Sequence, residues 1–135
     1  FDPSMNAIIP PYTAMINQYV RKELGYKTDL NYEILSGKVN QSWEYEGGHY
    51  PNTSEYLRSA FAKNPHMKLF VGQGYYDLAT PYFAAYYTLE HLGLDKSLQG
   101  SVTTAEYEAG HMMYLHIPSL SKLKDDVDGF MKKAL

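Results

Sequence analysis

Lys68-Leu-Phe-Val-Gly72-Gln-Gly74 and Ser101-Val-Thr-Thr-Ala-Glu-Tyr107 decide the fold, with Thr80-Pro81 standing between them. The apolar run Lys68–Val71 predicts a short buried strand, closed by Gly72 and Gly74. The β-branched, alternating run at 101–107 predicts a second strand. Thr80 is the expected N-cap, and Pro81 the first residue, of a helix reaching His91-Leu92 and stopped by Gly93. Beyond the second strand, Leu120, Leu123, Val127, Phe130, Met131 and Ala134 recur at helical spacing, with lysines and aspartates between them. Residues 66–131 therefore read strand, helix, strand, helix. That is the α/β pattern of parallel strands joined by right-handed crossover helices.

Upstream the signals are sparser. Phe1–Pro11 holds three prolines, which predicts an irregular or extended arm. A helix is expected from Tyr12, with Met15, Ile16, Tyr19, Val20 and Leu24 apolar and Gly25 as its stop. Residues 26–52 show no clean period and contain Gly37, Gly47-Gly48 and Pro51, which predicts a short strand or turn and a long loop. Thr53 or Ser54 caps a further helix that runs to Lys63 and ends at Asn64-Pro65.

The chain has 135 residues, 44% hydrophobic and 20% charged, with a formal charge of −3. Its mean hydropathy is −0.43. These values suit one soluble globular domain. Twelve basic against fifteen acidic residues provide no positive field for a phosphate backbone, so nucleic acid is not an expected partner. No apolar run approaches the ~20 residues of a membrane-spanning helix. The absence of cysteine excludes disulfides, thiolate metal sites and a cysteine nucleophile. The chain starts at Phe1 and shows no signal-peptide pattern, which fits a processed product, an expression piece or a fragment. Fourteen tyrosines against one tryptophan suit half-buried surfaces and cleft walls as well as ordinary packing.

The chemistry concentrates at two positions, 34 residues apart. Asp77 follows the first strand in Gly-Gln-Gly-Tyr-Tyr-Asp, and His111 follows the second in Glu-Ala-Gly-His. In a strand–helix–strand unit both lie at the carboxyl edge of the sheet, where open α/β folds bind ligands. Adjacent strands are ~4.8 Å apart, so the two loops can bring carboxylate and imidazole together. A carboxylate that orients an imidazole is two thirds of a nucleophile–base–orienter relay. Taken singly, each residue reads more readily as an ordinary turn residue, and only their joint placement at one sheet edge balances the two readings. Glu108, three residues before His111, reads as a solvated strand end.

Residues 71–83 (Val-Gly-Gln-Gly-Tyr-Tyr-Asp-Leu-Ala-Thr-Pro-Tyr-Phe) and 107–114 (Tyr-Glu-Ala-Gly-His-Met-Met-Tyr) resemble the acid and base motifs of the serine carboxypeptidases, particularly their bacterial branch. Leu92-Gly-Leu-Asp95 and the last helix are similar to that family's C-terminal portion, and the resemblance extends over essentially the whole chain. It implies the C-terminal part of an α/β-hydrolase fold, preceded by a helical cap or lid-like segment. Residues 1–64 would be the cap segment and return helix, and 65–135 the strand–helix–strand–helix part. It further implies release of C-terminal amino acids from peptides, with Asp77 orienting His111 and His111 acting as general base and then general acid. Tyr75, Tyr76, Met112 and Met113 become candidate substrate contacts, with Trp43 and Tyr45 as further aromatic candidates. Neither a cofactor nor a metal is implied, and a secreted or periplasmic location is.

The family's serine sits in a Gly-x-Ser-x-Gly elbow, and none of the nine serines here lies in one. Ser36 comes nearest but has Ile34 and Lys38 where the glycines belong. The expectation is thus a C-terminal fragment carrying Asp and His, inactive alone. Its partners would be the peptide substrate, the missing N-terminal part and a second copy joined through exposed sheet edge. Two other readings stay open: a non-catalytic binding domain of hydrolase-like fold, and a related acyltransferase. A metal site over His111 and His116 fits poorly, because the five-residue spacing and Pro118 disfavour one helix carrying both.

Overall fold

The computed structural model describes residues 3–44 and 51–134. The chain divides into two compact units, Phe1–Tyr50 and Pro51–Leu135. The first is helical. α1 spans Pro3–Gln18 and continues as one π-helical turn over Tyr19–Glu23, and α2 is the short helix Gly37–Gln41. Gly25 ends the first helix at φ 66°, as expected of a left-handed glycine stop.

One expectation for this unit fails, and of the strand or turn expected after residue 25 the structure has turns, with a short helix added. The proline-rich start is helical rather than an extended arm, with Pro10 and Pro11 inside α1. Proline's fixed φ is compatible with a helix, and the cost falls on the carbonyls of Asn6 and Ala7, which lose their N–H donors. Between residues 26 and 44 the structure has α2 and turns but no strand. Ser36 precedes α2 in extended conformation with no side-chain cap bond, so no strand feeds it in the manner of a nucleophile elbow. None of the described residues of this unit is buried.

In the second unit the strand–helix–strand–helix order appears as read. α3 spans Ser54–Lys63, β1 Leu69–Gly74, α4 Tyr82–Glu90, β2 Val102–Tyr107 and α5 Ile117–Ala134. β1 and β2 pair in parallel, with Leu69 opposite Val102 and Gly74 opposite Tyr107. The chain is therefore an α/β protein with a two-stranded parallel sheet among its described residues. α3 groups with the strands: its Phe61 is fully buried, and its Arg58 lies beside Gly93. The carboxamide of Asn52, rather than Thr53 or Ser54, caps α3 by accepting the Ser54 N–H at 3.0 Å.

α5 packs across both strands. Its Phe130 meets Phe70 with centroids 5.5 Å apart, and its Asp126 accepts the Tyr107 hydroxyl at 3.0 Å. Leu123 lies over Gly72. The packed stripe is thus Ser119, Leu123, Asp126 and Phe130, whereas Leu120, Val127 and Met131 stay exposed. The apolar arc of α5 is wider than two strands can cover. α4 shows the same excess, since none of its residues is buried although it is largely apolar and aromatic.

The glycines expected to close β1 instead belong to it. Gly74 ends the strand where its backbone presses on the next turn, and a Cβ there would collide with the carbonyl oxygens of Ala109 and Gly110. Gly74→Ala is therefore expected to destabilise the second unit by about 2 kcal/mol or more, as overpacking against rigid backbone does. Gly129, inside α5 with open space around its Cβ direction, is the opposite case. Gly129→Ala should stabilise by about 0.5–1 kcal/mol. Urea denaturation of both variants checks the pair, and equal midpoints would contradict the packing described.

Candidate active site: the Asp77–His111 pair

The ladder between β1 and β2 does not stop at the strand ends. The Tyr75 N–H donates to the Tyr107 carbonyl at 2.9 Å, and the Tyr76 N–H to the Ala109 carbonyl at 3.0 Å. The close approach at Gly74 brings the two post-strand turns together. Asp77 then folds back, with its own N–H 3.2 Å from the Gly74 carbonyl. This places its Oδ2 2.8 Å from Nδ1 of His111. The two residues singled out from their positions after the strands are in direct contact at the carboxyl edge of the sheet.

Four donors surround the Asp77 carboxylate. Oδ1 accepts the N–H groups of Ala79 and Thr80, both at 2.9 Å. Oδ2 accepts the Thr80 hydroxyl at 2.6 Å in addition to His111. Asp77 is buried, at 7% exposed. The Thr80 hydroxyl and then the Thr80 N–H lead in holding its carboxyl well below the usual carboxylate range, with burial opposing them and His111 and the Ala79 N–H adding to the effect. An ionised carboxylate only accepts, so Nδ1 of His111 carries a proton, and in the neutral imidazole the lone pair is on Nε2. The His111 side chain is 63% exposed. Nε2 is thus free to take a proton from, or return one to, a group brought to it from solvent.

Thr80 was the residue that sequence reasoning misassigned. It does not cap α4, which starts at Tyr82 with Pro81 at the cap position and no side-chain cap bond. Its hydroxyl is held by Asp77 instead. The available signal was the Asp-x-x-Thr spacing, in which an Asp side chain closes a turn onto backbone N–H groups two and three residues ahead.

Tyr75 and Tyr76 flank the pair and are 49% and 63% exposed. The Tyr75 ring packs edge-on against Tyr82 at 5.1 Å, while that of Tyr76 faces solvent. Met112 and Met113 follow His111 and are half-buried, Met113 opening a short 3-10 turn. Trp43 is exposed in the first unit, and Tyr45 lies outside the described residues. Glu108 is exposed. His116 is engaged elsewhere, with Nδ1 2.8 Å from the Ser119 hydroxyl at the start of α5. No group of three or more His, Asp or Glu side chains suited to a metal occurs among the described residues. No helix of the described residues is long and apolar enough to cross a membrane.

The depressed carboxyl of Asp77 has a definite sign in folding. Below the ordinary aspartate value of about 4, the unfolded chain binds a proton that the folded chain does not, so folding weakens as pH falls. The contribution is complete above that value and is lost progressively toward the folded-state pKa. Asp77→Asn is expected to flatten the acid side of the stability profile relative to the unsubstituted chain. Parallel acid limbs in urea midpoints measured from pH 6 to pH 2 would contradict this.

No family model, curated protein or solved structure gives a significant match to the chain.

Proposed function

We propose that the chain supplies the acid and base of a serine-type carboxypeptidase of α/β-hydrolase fold. The observation that carries this reading is the 2.8 Å contact between buried Asp77 and exposed His111 at the carboxyl edge of a parallel sheet. Its support is the likeness of residues 71–83 and 107–114 to the acid and base motifs of that family.

In this reading a serine hydroxyl outside these 135 residues approaches Nε2 of His111. His111 takes the hydroxyl proton as the serine attacks the peptide carbonyl, and Asp77 stabilises the resulting imidazolium. The same Nε2 proton then goes to the departing amine, leaving an acyl-enzyme, and water repeats the sequence to release the shortened peptide. Tyr75, Tyr76, Met112 and Met113 are the apolar surface nearest in sequence to the pair, and they are assigned to the substrate's side chains. The part of the protein bearing the serine covers the excess apolar arcs of α4 and α5, and the sheet extends through an unpaired strand edge.

The test is to express the reading frame extended upstream of Phe1 and to follow release of C-terminal residues from N-blocked dipeptides. The extended protein should hydrolyse them, and Asp77→Asn should lower kcat by about 10⁴-fold while preserving the fold. Near-normal turnover in that variant, or an extended frame without a strand–serine–helix elbow, would overturn the reading. The 135-residue chain alone should be inactive and should self-associate through its sheet edge. A monomer by sedimentation across a wide concentration range would contradict that association.

A further inference from the structure

A cleft of about 360 Å³ runs along β2, with Thr103, Thr104, Ala105 and Glu106 as one wall and Asp125 and Lys133 of α5 on the other. Four consecutive residues belong to both faces of a strand, so the cleft follows the strand's open edge. A second cleft, of about 330 Å³, reaches the same edge from the α4 side at Val102 and Thr104. We propose that this edge of β2 pairs antiparallel with β2 of a second copy, about a two-fold axis at Thr104. The proposal rests on the sheet-edge association stated above, to which it gives an edge, a register and a symmetry. It does not depend on the acid–base chemistry.

The backbone fixes which residues can pair. The Tyr107 carbonyl accepts from the Tyr75 N–H, so Tyr107 turns its backbone groups toward β1. Those groups alternate sides along a strand. Ala105 and Thr103 therefore also face β1, while Val102, Thr104 and Glu106 present N–H and C=O to the open edge. With Thr104 opposite Thr104 of the second copy, Val102 falls opposite its Glu106. All of these are hydrogen-bonded pairs, in which each couple exchanges both bonds. The edge lacks the usual guards against such pairing. Val102–Tyr107 holds no proline, glycine or lysine, and its unbroken register with β1 leaves no bulge.

The charges are self-complementary under that axis. α5 runs antiparallel to β2, because Asp126 meets Tyr107 while Phe130 meets Phe70, the residue opposite Thr103. Glu106 and Asp125 thus lie at one end of the cleft and Lys133 at the other. Lys122 is held by Asp126, whereas Glu106, Asp125 and Lys133 form no ion pair among the described residues. The axis brings the Lys133 end of each copy to the acidic end of the other. It also supplies a missing donor. Glu106 Oε1 is buried with no hydrogen-bond partner, and the Thr104 hydroxyl of the second copy falls on its diagonal, on the same face. The carboxyl ends of the two strands point opposite ways, which places the two His111 turns at opposite edges of the joined sheet.

The experiment compares this chain with Thr104→Pro, Thr104→Cys and Thr103→Cys. Proline at 104 removes only an N–H that a monomer leaves in solvent. It should preserve the circular dichroism while raising the dimer dissociation constant in sedimentation about tenfold or more. The chain has no cysteine, so a cross-link reports the introduced residue alone. Cysteines at 104 face each other across the axis with Cα atoms about 5.5 Å apart, within disulfide range. Those at 103 sit more than about 7 Å apart, beyond it. Thr104→Cys should therefore form a disulfide dimer about tenfold faster than Thr103→Cys under mild oxidation. An equally tight dimer in Thr104→Pro, or equal cross-linking of the two cysteine variants, overturns the pairing at β2 and leaves association through another surface standing. An unsubstituted chain that stays monomeric at all concentrations overturns both. If Thr104→Pro does not fold, Thr104→Lys, which sets two ammonium groups on the axis, is read by the same criterion.

Discussion

The structure of the second unit turns on a missing side chain. At Gly74 the end of β1 lies so close to the carbonyls of Ala109 and Gly110 that no Cβ fits between them. That approach lets the parallel ladder run two residues past the strands, to Tyr76 and Ala109. It also brings the Asp77 turn against the His111 turn. With a wider separation the carboxylate and imidazole would sit at one sheet edge without touching. Backbone packing, rather than attraction between the two side chains, fixes their distance.

Burial divides the pair unequally. The carboxylate is enclosed and holds four donors, two from backbone, one from Thr80 and one from His111. It stays ionised because those bonds outweigh the desolvation that opposes them. The imidazole projects into solvent. Such a division suits an acid that orients without exchanging protons and a base that must exchange them.

The sequence was most informative where periodicity and punctuation agreed. β2 and α3 lie within a residue or two of their expected bounds, α5 contains every apolar position expected of the last helix, and the placement of Asp77 and His111 after the two strands followed from parallel topology. β1 was underestimated because glycines usually end strands, whereas Gly72 and Gly74 are in-strand positions that admit Tyr107 and the 109–110 backbone. Thr80-Pro81 has the form of a helix start, yet a carboxylate three residues upstream outcompetes the helix for the hydroxyl. α1 runs through Pro10 and Pro11 because a proline rule concerns lost hydrogen bonds and not forbidden dihedrals. For α5, spacing located an apolar arc but not which part of it the sheet covers. That depends on strands lying beside one another, information that a single helix does not carry.

Every group that builds the acid–base pair comes from one uninterrupted stretch, residues 74–111. The glycine that permits the approach, the turn that fills the carboxylate, the crossover helix and the imidazole are all encoded within it. Unlike a site assembled from distant parts of a chain, this one is contiguous, and its spacing is inherited from the ladder that begins where Leu69 faces Val102.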